Sequence, residues 1–332
     1  MVIYSVAKEE KLLIEEIKRR TEKGNIDNIS RTVLYNEFYM KHKEIIWACL
    51  ASFVSRNAGW NMTDLEGEIF SKLIPKQYRE ILYLTYERAN WLIFSDAYPQ
   101  LLLYEASKRV GRPLFHLLKF LHVSRYMEKE WTNFWNKQDI ERLCTALIVN
   151  EQHIIQMPVI EDPYYHDKVF GSLPFVIEDL LHFSTVIFPT LDGRLYGFSV
   201  HGFTKVKNRI ALGKRLAWLL FTSKEKKPIQ TFAAKVEHTG SRFDYEQFIQ
   251  KINRKRTPAL RKTYPVINHH RSDFSDWYNN KTAKKVSRYM EPTKIIKEYE
   301  LTEWYYKKQR QLEVATKLEQ GLLRFFREKL NK

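Results

Sequence analysis

The ten residues from Ile45 to Val54 carry no charge and are apolar on nearly every helical face. Such a helix must be surrounded by protein or by lipid. Ten residues are too few for lipid, since a bilayer takes roughly 20, so the run is expected to be the central helix of a globular core. It leads straight into Ser55-Arg56-Asn57-Ala58-Gly59-Trp60-Asn61-Met62-Thr63-Asp64. We expect the helix to end near Val54 and these polar residues to form the turn that leaves it. Gly59 permits a bend there, and Asn61, Thr63 or Asp64 can cap a helix running on towards Leu73. If the first helix extends by another turn, Arg56 and Asn57 leave from a buried surface.

The rest of the chain reads as helices around this run. Gly24-Asn25 stops a polar first helix, Ser30 is placed to cap a second, and a break is expected near His42. Pro75 opens a buried helix through Phe94. Ser95 to Tyr98 is expected as a turn before Pro99 and a further short helix, and Pro113 opens another. Ser124 and Asp139 are further caps. From Ile140 to Ile155 apolar residues recur every three or four positions, and Glu151 falls on that apolar face. A carboxylate so placed must be paired, hydrogen-bonded or neutral. Asp192-Gly193 between two apolar segments signals a hairpin near 185–200. Gly213 and Ala217, four apart, allow a neighbouring helix to approach closely. Leu301, Trp304, Tyr305, Leu312, Ala315, Leu318, Leu322 and Phe325 form one stripe on a long C-terminal helix beginning near Thr293. The expected fold is mainly α: a multi-helix globular core, one small hairpin and that long helix.

A length of 332 residues allows one large domain or two, and 44% hydrophobic content supplies an ample core. The net charge of +16 is uneven: residues 223–332 hold 26 Lys and Arg against 13 Asp and Glu. We therefore divide the chain into a helical core, 1–222, and a basic C-terminal region, 223–332, packed on it, with Ser223 to Pro228 as the linker. Both cysteines, Cys49 and Cys144, sit in apolar runs and read as buried thiols of a reducing compartment. With no signal-peptide core and no run long enough to span a bilayer, the expected location is the cytoplasm.

Four groups of residues could carry chemistry. Arg56, Asn57, Asn61, Asp64, Asn90, Asp96, Gln100, Glu105, His122, Arg125 and Glu151 lie at the ends or on the apolar faces of core helices. Converging on one cavity, they would bind a phosphorylated or carboxylated small molecule through Arg56 and Arg125. His122, Glu151, Asp64 and Asp96 would then supply acid–base groups. The same residues also serve as caps and buried salt bridges. Second, Thr239-Gly240-Ser241-Arg242 after His238 could hold an anion at a helix entry, although it lacks the spacing of a phosphate-binding Walker loop. Third, Arg254, Lys255, Arg256, Arg261, Lys262 and Arg271 interleave with Tyr264, Trp277 and Tyr278, a pattern suited to phosphates and stacked bases. Fourth, the ten histidines show no His-Glu-x-x-His pattern. No metal and no cofactor is expected.

Several blocks resemble the bacterial family named domain of unknown function 2515. They are Ser55 to Leu65, Trp91 to Glu105, Pro113 to Leu118, His122 to Met127 and His238 to Arg242. The resemblance covers about residues 30–280. It implies an uncharacterised cytoplasmic protein and adds no catalytic residue. Three functions stay open. The leading one is a non-enzymatic binding protein that meets an anionic partner, nucleic acid first, through residues 223–332. The others are an enzyme with the polar pocket above, and a helical scaffold that recruits a protein partner through the C-terminal stripe.

Overall fold

A computed structural model of the chain describes residues 7–167, 185–200, 202–250, 257–271, 273–291, 296 and 298–317. The fold is mainly α, with a single two-stranded hairpin among the described residues. Helix α1 (Lys8–Gly24) ends on Asn25, as its sequence indicates. Helix α2 (Asn28–Lys41) starts earlier than expected. Ser30 does not cap it; Asp27 does, accepting the Ser30 backbone N–H at 2.7 Å. A cap stands two or three residues before the N–H it binds, and Asp27 in that place puts Ser30 inside the first turn.

Helix α3 (Ile46–Asp64) is continuous, so the expected end at Val54 and the turn after it do not exist. Its polar second half stays helical because other elements supply the partners that solvent would supply in a turn. Thr63 and Asp64 cap nothing: α4 (Glu68–Leu73) follows Gly67 without a side-chain cap. Helix α5 (Lys76–Val110) likewise runs 35 residues without the turn expected before Pro99. Proline removes one ladder N–H at a typical cost of about 3 kcal/mol. Here every residue from Asp96 to Tyr104 is buried, and burial of that length outweighs the missing bond.

A 3-10 segment, Phe115–Leu121, follows Pro113 in place of the expected α-helix. Helices α6 (Arg125–Lys137) and α7 (Ile140–Ile154) are capped by Ser124 and Asp139, as read from the sequence. Strands β1 (Thr185–Pro189) and β2 (Leu195–Ser199) pair antiparallel, Thr185 opposite Ser199 and Pro189 opposite Leu195. Gly193 closes the hairpin at φ +82°, where a side chain would also strike the Phe248 carbonyl. Helix α8 (Val206–Phe221) crosses α7 at Gly213: a Cβ there would lie 2.7 Å from Ile148. The expected linker is a tight turn, with Ser223 and Glu225 buried and Pro228 already inside α9 (Lys226–Lys235).

Helix α10 (Asn279-capped, Asn280–Tyr289) packs on α7, and α11 (Thr302–Lys317) packs on α4 and β2. Backbone bonds Gly197 N–H to Tyr299 O (2.9 Å) and Leu301 N–H to Leu195 O (2.8 Å) lead the chain into α11 along β2. Of the C-terminal stripe, Tyr305 and Leu312 are fully buried and Leu301, Trp304 and Ala315 are half-buried. Thr293, Leu318, Leu322 and Phe325 lie outside the described residues. The largest core cluster surrounds α3, which touches α2, α5, α7, α8 and β1. No helix among the described residues is long and apolar enough to cross a membrane.

Candidate functional site

The polar second half of α3 faces protein. Arg56, 5% exposed, donates to the carbonyls of Ala233 (3.1 Å) and Val236 at the end of α9, its guanidinium lying beside Trp60 and Phe232. Burial lowers its pKa to about 10. Asn57 takes the place of a strand neighbour: it accepts the Ile187 N–H at 2.9 Å and donates to the Thr185 carbonyl at 3.4 Å. Asp64 pairs with the buried Arg242, which also bonds the Tyr305 hydroxyl at 3.0 Å. Trp60 donates to Asp244 at 2.9 Å. Asn57 thus ties α3 to β1, and Arg56, Trp60 and Asp64 tie it to Ala233, Val236, Asp244 and Arg242.

The anion-binding motif expected at 239–242 is filled by the chain's own carboxylates. The Thr239 backbone N–H and hydroxyl both donate to Asp244, at 3.0 and 2.5 Å. The Ser241 hydroxyl donates to the Thr257 carbonyl, the Gly240 carbonyl accepts from Thr63, and Arg242 is spent on Asp64. The motif is a helix-entry turn stitched to α3.

A second network centres on Asp96, 1% exposed in the middle of α5. Its Oδ2 accepts from Gln100 (2.7 Å) and from Asn150 (2.5 Å). Asn150 Oδ1 in turn accepts from Ser124 and Trp277, both at 2.9 Å, and Gln100 Oε1 accepts from Trp131 at 2.8 Å. Burial raises the Asp96 carboxyl to about 6. This network fastens α5, α6, α7 and the Trp277 loop together.

The expected pocket residues therefore divide. Asn57, Asn61, Asn90 and Glu151 do line one cavity, between α2, α3, α5, α7, α8 and β1. Glu151 accepts from Trp47 Nε1 (3.1 Å) and Gln152 Nε2 (3.0 Å), and burial raises its carboxyl to about 7. Arg56 and Arg125 do not line that cavity, so neither provides the anion partner assigned to it. Arg125 is exposed and held by Asp276 at 3.0 Å; Glu105 sits at the surface between Arg20 and His42, 3.7 Å from each.

His122 belongs to a different place. A cleft of about 730 Å³ lies between the end of α1, the middle of α5, the 3-10 segment, residues 266–271 and Phe274. Lys18, His122, His269, His270 and Arg271 bring positive or protonatable groups to it, against the single carboxylate of Glu22. Trp91 and Phe274 supply aromatic faces. The Phe274 ring lies 4.1 Å from that of His122 and is 49% exposed. Desolvation, then the Lys18 and Arg271 charges, hold His122 below the usual histidine range. Burial and the nearby Arg88 bring His269 down to about 4.

Of the cations assigned to nucleic acid, only Arg271 reaches this cleft among the described residues. Arg261 pairs with Asp27 at 2.7 Å, Lys262 is exposed on a single turn above α3, and Arg254, Lys255 and Arg256 lie outside the described residues. The rings expected to stack on bases face inward instead: Tyr264 on Tyr83, Trp277 on His153, Tyr278 on Tyr126. Lys18, Trp91 and Phe274 were missed, because α1, α5, residues 266–271 and Phe274 meet only in three dimensions. A basic stripe on α10 was also missed, although it was legible. Lys281, Lys284, Lys285 and Arg288 are all exposed, recur at helical spacing, and no Asp or Glu intervenes between Asp276 and Glu291.

Comparison with known proteins adds kinship. The family model described as "Protein of unknown function (DUF2515)" matches residues 23–306. The uncharacterized protein YppC of Bacillus subtilis (strain 168) is 49% identical over 311 residues, covering 93% of this chain and 96% of that protein. No solved structure matches.

Proposed function

The chain belongs to the DUF2515 family, and we propose that it is a non-enzymatic, cytoplasmic protein that binds single-stranded nucleic acid in the cleft between α1, α5, residues 266–271 and Phe274. The observation that carries this reading is the meeting of Lys18 and Arg271 with the exposed Phe274 ring and Trp91 in one cleft. Cations that follow a phosphate backbone, beside rings on which bases stack, are the two parts of sequence-tolerant single-strand binding. The exposed stripe of α10 adds a positive field that draws a polyanion towards the molecule. Buried cysteine thiols, Cys49 and Cys144, support the cytoplasmic part.

The test is fluorescence anisotropy with a labelled single-stranded oligonucleotide between 50 and 200 mM salt. Affinity should fall steeply with salt, and Arg271→Ala should flatten that slope by roughly 0.7, the share of a single neutralised phosphate. Phe274→Ala, which removes a largely exposed ring, should cost about 1–3 kcal/mol, the usual worth of one stacked base. Absence of binding at 50 mM salt, or binding indifferent to both substitutions, ends the proposal. A mononucleotide bound as tightly as the oligonucleotide would point instead to a small phosphorylated ligand.

A further inference from the structure

The pocket behind α3 has a chemistry opposite to that of the cleft. Its volume is about 160 Å³; Leu50, Val54, Ile93, Ile155, Leu212 and Leu216 form an apolar side, and Asn57, Asn61, Asn90 and Gln152 also line it. Two polar groups stand out on that wall. The Tyr35 hydroxyl, on a residue 3% exposed, has no hydrogen-bond partner among the described residues. A buried hydroxyl left without a partner is costly enough that native proteins seldom leave one. The Glu151 carboxyl lies on the same wall: Trp47 donates to it and packs edge-on against the Tyr35 ring, centroids 5.5 Å apart. Each Glu151 oxygen takes one N–H, from Trp47 or Gln152, and so keeps room for another donor.

The cations of the cavity wall are already engaged. Arg31 is paired with Glu87 and Arg209 is bound to Gln152, Gln156 and the Phe203 carbonyl. An anion entering here would meet Glu151 and find no free cation, so the occupant is not the phosphorylated or carboxylated molecule that the polar residues alone suggested. Most of the surface that the wall presents is nevertheless apolar, which suits an uncharged organic occupant. An apolar cavity of about 150 Å³ is large enough to take benzene.

We propose that this cavity binds an uncharged single-ring organic molecule bearing one hydroxyl group, the ring against the Leu50, Leu212 and Leu216 wall and the hydroxyl between Tyr35 and Glu151. The inference is independent of the nucleic-acid reading, which concerns another face of α5.

Isothermal calorimetry on the full chain, with phenol, toluene and benzoate as probes, tests it. Phenol should bind at one site per chain, toluene at least about tenfold more weakly because it leaves Tyr35 unpaired, and benzoate not at all. Tyr35→Phe should reduce the preference for phenol over toluene, leaving what the Glu151 acceptor supplies, and should leave toluene binding in place. Val54→Phe, which fills the cavity from α3, should abolish binding of both; Leu216→Phe fills it from α8 should the first variant fold poorly. The proposal is overturned if phenol gives no saturable heat, if Tyr35→Phe keeps the tenfold preference, or if a folded filled variant binds phenol as the parent does.

Discussion

Glu151 shows how one carboxyl can set a pH response. Burial raises it to about 7, above the ordinary value of 4.5 that it recovers on unfolding. The folded chain therefore holds this proton more tightly than the unfolded chain. The stability that follows is fully present below about pH 4.5 and is lost as pH rises through 7. At most it amounts to about 3 kcal/mol, from 1.36 kcal/mol per unit. Glu151→Gln keeps an oxygen that accepts from Trp47 and cannot ionise. Thermal melts from pH 4.5 to 8 should thus fall for the parent and stay flatter for the variant, which should be the more stable of the two at pH 8. Parallel curves would show that the carboxyl does not titrate in this window. Arg56 is a contrasting case: its charge is not the point. Its geometry is, since two carbonyls at the end of α9 depend on its planar fork.

At the scale of elements, contact between helices is set by what a helix lacks. Gly213 of α8 sits against Ile148 of α7, with no room for a methyl group. Gly213→Ala should destabilise by about 1–3 kcal/mol despite alanine's better helix propensity. Denaturant titration of the double variant with Ile148→Ala should recover part of that loss; strictly additive effects would mean the close approach is not what matters. This close approach was legible in the spacing of Gly213 and Ala217, as were the hairpin at Asp192-Gly193 and the caps at Ser124 and Asp139. Those features are local: each is decided by residues within a few positions. The continuity of α3 and α5 was not legible, because Pro99 and the polar run 55–64 are local signals overruled by partners far along the chain. For the same reason the sequence, with 55–64 read as a turn, put Asn57, Asn61, Asn90 and Glu151 in one set with Arg56, Arg125 and His122, and could not tell which of them share a cavity.

Over the whole molecule, the described residues beyond 223 pack on the body that α3 organises. Arg56, Trp60, Thr63 and Asp64 find their partners at Val236, Asp244, Gly240 and Arg242, and Tyr305 is fully buried beside them. Far-ultraviolet circular dichroism and tryptophan fluorescence should therefore report one coincident unfolding transition. A chain cut after residue 222 should fail to give a cooperative melt; a sharp, independent transition from that fragment would show that the first 222 residues fold alone.

The bonds at the end of α3 span 177 to 184 residues of chain. Ribosomes add about 5–20 residues per second, so the polar half of α3 leaves the exit tunnel roughly 10–35 s before its partners exist. For that interval the nascent chain carries a helix whose arginine and aspartate lack their later partners. The order in which the chain is made sets a waiting period on its central helix.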